Sequence, residues 1–241
     1  MTLAIIGGTG FDEFENLEGS QTHEISTSWG KPSDKIEEGI LGNKKILLLR
    51  RHGRQLKFPP HLINYRANIA ALRELGASAI IATAAVGGIA VEVGEVVLPD
   101  QIIDYTHGRD STFFEGGKTS LKHIDFSYPY DKRIREKIIS AATAKSIILI
   151  ESGTYGATQG PRLETAAEIQ KLRKDGCHIV GMTGMPEACL AKEMEIPYAT
   201  IAIVVNPAAG LCEGEILLSD MEKILSQGYE ICMDILKTVE L

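Results

Sequence analysis

The chain has 241 residues, 44% of them hydrophobic, which is enough for one large domain with a buried core. Its 25 Lys and Arg against 32 Asp and Glu leave a net charge of -7, a balance that repels nucleic-acid backbones and anionic membrane surfaces at long range. Cys177, Cys189, Cys212 and Cys232 are widely spaced, without a CxxC pair or interleaved histidine, so no zinc site is expected and a reducing cytoplasmic setting fits.

In chain order, MTLAIIGG passes from an apolar run straight into glycines without a basic leader, as a buried strand does and a signal peptide does not. Strands are expected at 3–8, 45–50, 79–85, 95–104, 178–183 and 198–205. Several are apolar on both faces, which suits a central, mostly parallel or mixed sheet covered by helices on both sides, an α/β fold. The stretch AIIATAAVGGIAV, from Ala79 to Val91, is too short to span a bilayer and is broken by two glycines. Helices are expected from Asn64 to Leu75, stopping at Gly76, and from Pro161 through AAEIQKLRK, stopping at Gly176. Ser219 and Glu222 form an S-x-x-E capping box for a last helix, on which Ile224, Leu225, Ile231 and Ile235 recur at helical spacing. Residues 107–130 read as an irregular excursion, and with no internal repeat or Pro/Ser-rich linker the expectation is a single domain over 1–241.

The strand ends carry the chemistry. Gly7-Gly8-Thr9-Gly10 follows the first strand, where glycines let backbone N–H groups approach an anion, although a plain tight turn reads equally well. Read from Gly8 as a dinucleotide fingerprint the motif fails, because Glu13 stands where the third glycine belongs. Arg50-Arg51-His52-Gly53-Arg54 ends the second strand with oxyanion donors; alone it would be a solvated basic turn, but ligands of open α/β sheets collect at strand carboxyl ends. Ala84-Ala85-Val86-Gly87-Gly88 is expected as a small-residue turn, and Met182-Thr183-Gly184 precedes the helix-starting Pro186. Thr9, Arg51, His52 and Thr183 would surround a tetrahedral oxyanion with donors.

The motifs GGTG, GKPSD, RRHGRQ, NYRANIAAL, GATQGPRLETAAE, VGMTGMPEACLAKE and YATIAIVVN, in this order, resemble the trimeric purine nucleoside phosphorylase superfamily. The resemblance runs from about residue 3 to residue 238 and is strongest to the methylthioadenosine phosphorylase branch, which includes the methylthioinosine phosphorylases. It implies phosphorolysis without metal or other cofactor, inorganic phosphate being the co-substrate, and a homotrimer whose ligands are nucleoside and phosphate. By position it places phosphate at Thr9, Arg51, His52, Thr183 and the backbone N–H near Ala85, with Met182 under the ribose and Leu163, Glu164, Asn206 and Ala208 around the nucleoside. Ala84 departs from the branch, whose methylthioadenosine enzymes carry a phosphate-contacting threonine there.

Asn206 stands where adenine-cleaving relatives have an aspartic acid, and it can offer its NH2 to a 6-oxo group and its carbonyl to N7–H. It is therefore the residue assigned to leaving-group catalysis. Glu164 matches the glutamate that accepts from N1–H in 6-oxopurine phosphorylases; without the resemblance it would read as an acid in a helix's first turn. Ala208 replaces the branch's second aspartate and points the same way. At the 5′ end, Ile216, Leu217 and Leu218 suit a methylthio group, and no histidine stands there for a 5′-hydroxyl. His123 resembles the histidine lent to a neighbouring subunit's site, or else is a surface histidine. The readings that follow are a methylthioinosine phosphorylase, a broader inosine/guanosine or methylthioadenosine enzyme, and a binding module without turnover.

Overall fold

Side chains that alternate between two buried faces set the architecture. Along β1 (Leu3–Gly7), Leu3 and Ile5 enter one apolar cluster and Ala4 and Ile6 the other. The computed structural model describes residues 2–11, 17–117, 122–212 and 218–240, without the side chains of 218–220. β1 lies between β4 (Lys44–Arg50) and β5 (Ala79–Gly88), parallel to both, and β10 (Tyr198–Pro207) runs parallel to β5 on its other side. On one face pack α1 (Tyr65–Glu74) and α4 (Gly184–Glu193), through Ile69, Leu72, Ala188 and Leu190. On the other pack α2 (Lys132–Ala144) and α5 (Leu218–Thr238), through Ile134, Ile138, Met233 and Leu236. Each large aliphatic side chain buried this way is worth about 1.5–3 kcal/mol, so the doubly covered strands dominate stability.

The sheet is mixed. β2 (Glu18–His23) and β3 (Ile36–Leu41) extend it antiparallel beyond β4. β7 (Gln101–Asp104), β8 (Thr154–Ala157) and β9 (Ile179–Gly181) run parallel to one another and join antiparallel at Gly87 and Gly88. β6 (Val96–Val97) pairs antiparallel with β10. β5 is thus the branch strand: its body pairs with β1 and β10, and its end takes up β9. The remaining α-helix, α3 (Ala166–Lys174), packs Ile169 and Leu172 with Cys177 and Val180. Among the described residues no helix is long and apolar enough to cross a membrane.

The α/β class with a mixed central sheet is as the sequence indicates, and several local expectations change. Ala84–Gly88 is strand rather than turn, because β5 continues to pair with β10 and β9. Segment 95–104 breaks into β6 and β7 around Pro99, which has no N–H to give a ladder, and 178–183 keeps strand pairing only over Ile179–Gly181. The helix expected from Pro161 starts at Ala166, with Thr165 and Glu168 in a reciprocal capping box, so Glu164 precedes the helix instead of sitting in its first turn. α5 already includes Leu218, so Ser219 falls inside the helix rather than capping it. β2, β3, β8 and α2 have no counterpart in the sequence-based expectations; β2 is a largely exposed EGSQTH and β8 only TYGA, patterns too polar or too short to register.

Gly181 ends β9 against the fully buried ring of Tyr155, and a Cβ there would overlap the Tyr155 hydroxyl. Gly181→Ala is expected to cost about 1–3 kcal/mol through overpacking, lowering the urea midpoint without changing the m-value. An unchanged midpoint would show that Tyr155 is free to move.

Candidate active site at the strand ends

The carboxyl ends of β1, β4, β5, β9 and β10 open into one cleft. Its walls include Gly8, Thr9, Arg51, His52, Ala84, Ala85, Leu163, Glu164, Met182, Thr183, Asn206 and Ala208. Pro60, Val180, Val205, Ala209 and Met221 complete much of the lining. Of the sequence-expected site residues whose side chains are described, all but His123 therefore meet in one place. His123 is exposed and lies outside the cleft of its own chain.

The floor is made by close approach. Gly8 donates its N–H to Thr83 Oγ1 at 3.0 Å, and a Cβ on Gly8 would come 2.6 Å from Thr83 O and 3.0 Å from Arg51 Nη1. Only glycine lets the first strand end lie this near the guanidinium. Phe11 N–H donates to Gly8 O, so GGTG is a tight turn and part of the cleft at once.

The basic run RRHGR divides. Arg50 and Arg54 turn to Glu37, with Asp34 behind it, while Arg51 and His52 face the cleft. Arg51 is 1% exposed and forms a two-pronged pair with Glu187 of α4, which is fully buried: Nε and Nη2 each donate to a carboxylate oxygen at 2.7 Å. Nη1 donates to Thr83 O at 2.8 Å. Three of the five N–H groups are thereby fixed, and the remaining two are those that can reach a ligand. Burial opposes the guanidinium charge, but the Glu187 carboxylate outweighs it and holds the pKa above its ordinary value. Tyr198 donates to the same carboxylate at 2.8 Å and receives Thr200 Oγ1 at 3.1 Å; burial pushes the Tyr198 phenol up, so it stays a donor. His52 Nδ1 lies 2.9 Å from Phe58 O, and since a carbonyl only accepts, Nδ1 carries the hydrogen.

At the opposite wall β10 carries a bulge: Val204 pairs with Val86 but Asn206 with Gly87, so two residues of β10 oppose one of β5. Such an extra residue re-aims a side chain. Asn206 donates one Nδ2 hydrogen to Pro207 O at 2.7 Å, which fixes the amide's orientation and leaves its second N–H and Oδ1 available. Glu164 accepts from Thr158 Oγ1 at 2.6 Å through Oε1, and among the described residues its Oε2 has no side-chain partner. Arg51 thus supplies anion donors, and Asn206 and Glu164 supply a donor and acceptors for a flat polar ligand.

The sequence pattern of the phosphorylase superfamily matches residues 2–239. The chain belongs to that superfamily. A probable S-methyl-5'-thioinosine phosphorylase of Xanthomonas campestris pv. campestris is 51% identical over 212 residues, 87% of this chain and 85% of that protein. A 6-oxopurine nucleoside phosphorylase of Pyrococcus furiosus is 42% identical over 244 residues, 98% of this chain and 90% of that protein. Among solved structures, the methylthioadenosine phosphorylase of Schistosoma mansoni in complex with adenine superposes with a TM-score of 0.89 at 34% identity, covering 99% of this chain and 90% of that one.

For this superfamily member, sequence reasoning missed Glu187, Tyr198 and Met221. Glu187 directly follows Pro186 and reads from sequence as a dipole-favoured acid in a helix's first turn. The 5′-end residues Ile216 and Leu217, the Leu218 side chain, and Glu13 lie outside what is described. No group of three or more His, Cys, Asp or Glu placed to hold a metal occurs among the described residues, and the four cysteines are free.

Glu187→Gln keeps the shape of the Arg51 partner but removes its charge. Stranding a buried cation costs about 3–5 kcal/mol, to be read by urea denaturation, and the phosphate KM should rise as Arg51 loses its fixed orientation. Native stability in the variant would show that Arg51 is adequately held by Thr83 alone.

Proposed function

We propose that the chain cleaves 6-oxopurine nucleosides with inorganic phosphate, and that its preferred substrate is S-methyl-5'-thioinosine, giving hypoxanthine and 5-methylthioribose 1-phosphate. The observation that carries the base preference is Asn206 and Glu164 in one cleft, with their orientations fixed by Pro207 O and Thr158 Oγ1. In this reading Asn206 Oδ1 accepts from N7–H and its second N–H donates to O6, while Glu164 Oε2 accepts from N1–H. Adenine offers no N1–H, so the carboxylate would face another acceptor at a cost of about 1–3 kcal/mol.

The reaction forms a bond from a phosphate oxygen to C1′ as the C1′–N9 bond breaks and its electron pair moves into the purine. N7 takes up a proton, and its pairing with Asn206 strengthens as that charge develops. Arg51, His52, Thr9, Thr183 and the backbone near Ala85 bind the phosphate, although Ala84 brings no hydroxyl of its own. Met182 supports the ribose, and Leu163 and Ala208 close around the nucleoside. No metal or organic cofactor enters the step.

The methylthio preference is supported by apolar walls at Met182, Val205, Ala209 and Met221, and by His52 being the only histidine among the described lining residues. The inosine/guanosine reading is kept alive by the Pyrococcus furiosus relative. The exposed His123 fits a site completed by a neighbouring subunit, and the homotrimer that the family resemblance implies is tested by mass measurement in solution.

Phosphate-dependent release of hypoxanthine separates an enzyme from a binding module, and kcat/KM for methylthioinosine should exceed that for inosine. Equal values would defeat the 5′ assignment and leave the base assignment standing. Asn206→Asp should lower kcat/KM on 6-oxopurine nucleosides by roughly five- to 150-fold, the loss of one buried pairing. Methylthioadenosine should gain only in part, because Glu164 still faces N1; efficient cleavage by that single variant would remove Glu164 from base selection.

A further inference from the structure

Residues 105–117 form no helix or strand, yet they are moored on both sides of Arg109. Arg66 donates to Asp110 at 2.6 Å and to Glu115, and Glu193 of α4 accepts from Thr112 Oγ1 and Phe113 N, each at 2.7 Å. Ahead of these anchors, and after Tyr105 N–H has donated to Ala157 O at 2.8 Å, Arg109 turns inward, half-buried. Its Nη1 donates to Met182 O at 2.8 Å, Met185 O at 2.6 Å and Tyr65 Oη at 3.2 Å. Its Nη2 donates to Gln159 O at 2.7 Å and Thr158 O at 3.3 Å, and its Nε to Gln159 Oε1 at 3.2 Å. His107 N–H holds that same Oε1 at 3.0 Å.

Among the described residues every one of these partners is a neutral oxygen; none is a carboxylate. The planar fork is therefore committed to main-chain carbonyls on two separate loops, a task its five fixed donors can perform and the three donors of a lysine ammonium, radiating from one point, cannot. One loop runs from Thr158 to Glu164, and the Thr158 hydroxyl holds the Glu164 carboxylate. The other, 182–185, carries Met182 and Thr183 into the cleft. Arg109 is not among the residues that line the cleft.

The geometry points to Arg109 as a positioning residue for base selection: it sets the distance between the Glu164 loop and the Met182 loop, so that the carboxylate meets the purine edge while the ribose rests on Met182. This rests on the 6-oxopurine reading and deepens it. Loosening the brace lets Glu164 drift from N1–H, which weakens the favoured substrate and relieves the disfavoured one.

The test uses the full chain as Arg109→Lys and Arg109→Ala, with kcat/KM for methylthioinosine and methylthioadenosine at saturating phosphate, normalised to folded protein by thermal melting. Arg109→Lys should lose about tenfold or more on methylthioinosine and distinctly less on methylthioadenosine, so that the preference narrows. Added guanidinium ion should restore part of the Arg109→Ala activity and none of the Arg109→Lys activity. Equal loss on both substrates, or a loss that vanishes on normalisation, overturns the positioning role, and Arg109→Lys decides if Arg109→Ala does not fold. A native enzyme with no preference for methylthioinosine would instead overturn the base reading, independently of either variant.

Discussion

The cleft depends on one buried ion pair. Arg51 at the end of β4 and Glu187 at the start of α4 are both out of water, and neither would be tolerated there alone. The pair also draws in β5 through Thr83 O and β10 through Tyr198, so one charge-assisted network ties three strands and a helix at the point where their ends converge. What it yields is orientation more than stability: a hydrophobic replacement could fill the same volume, but only a guanidinium locked on one edge presents a fixed pair of N–H groups on another.

From that fixed point the two ends of the cleft differ in kind. The end proposed to hold phosphate is built by backbone proximity, with Gly8 pressed against Thr83 and Arg51. The end proposed to hold the base is built by side chains whose hydrogen-bond sense is already decided, Asn206 by Pro207 O and Glu164 by Thr158. A pre-set donor and acceptor pattern discriminates more strongly than an apolar pocket does, because the wrong base leaves a buried group unpaired. In the same reading, discrimination at the 5′ end would rest on apolar contact with Met221 and its neighbours and be correspondingly the weaker filter.

Strands whose two faces are both apolar were legible from sequence, and with them the class of fold, since a run such as LAIIGG has few other places to go. β2 and β8 were not, because an exposed EGSQTH pairs through its backbone with β3 and leaves no apolar alternation to detect. Within RRHGR the sequence could not tell which arginine faces a ligand: the answer turns on Glu37 and Glu187, 13 and 136 residues away. Gly88 illustrates the converse, a glycine that reads as a turn but lies in a strand where the chain passes too close to Val91 for a side chain. Arg109 was hidden for a third reason, since it serves carbonyl groups, and main-chain acceptors leave no trace in the residue pattern.

A chain of net charge -7 that binds phosphate must do so against its own long-range field. Arg51 does little to reverse that field, because Glu187 matches its charge at contact; its value to an anion lies in short-range N–H donation. Arg109 is the complementary case, a half-buried cation that among the described residues donates only to neutral oxygens, the carbonyls of Met182 and Met185 among them. The division of labour is thus geometric: in the proposed reading the paired arginine offers its free N–H groups to the anion, while Arg109 holds the loops that carry Glu164 and Met182.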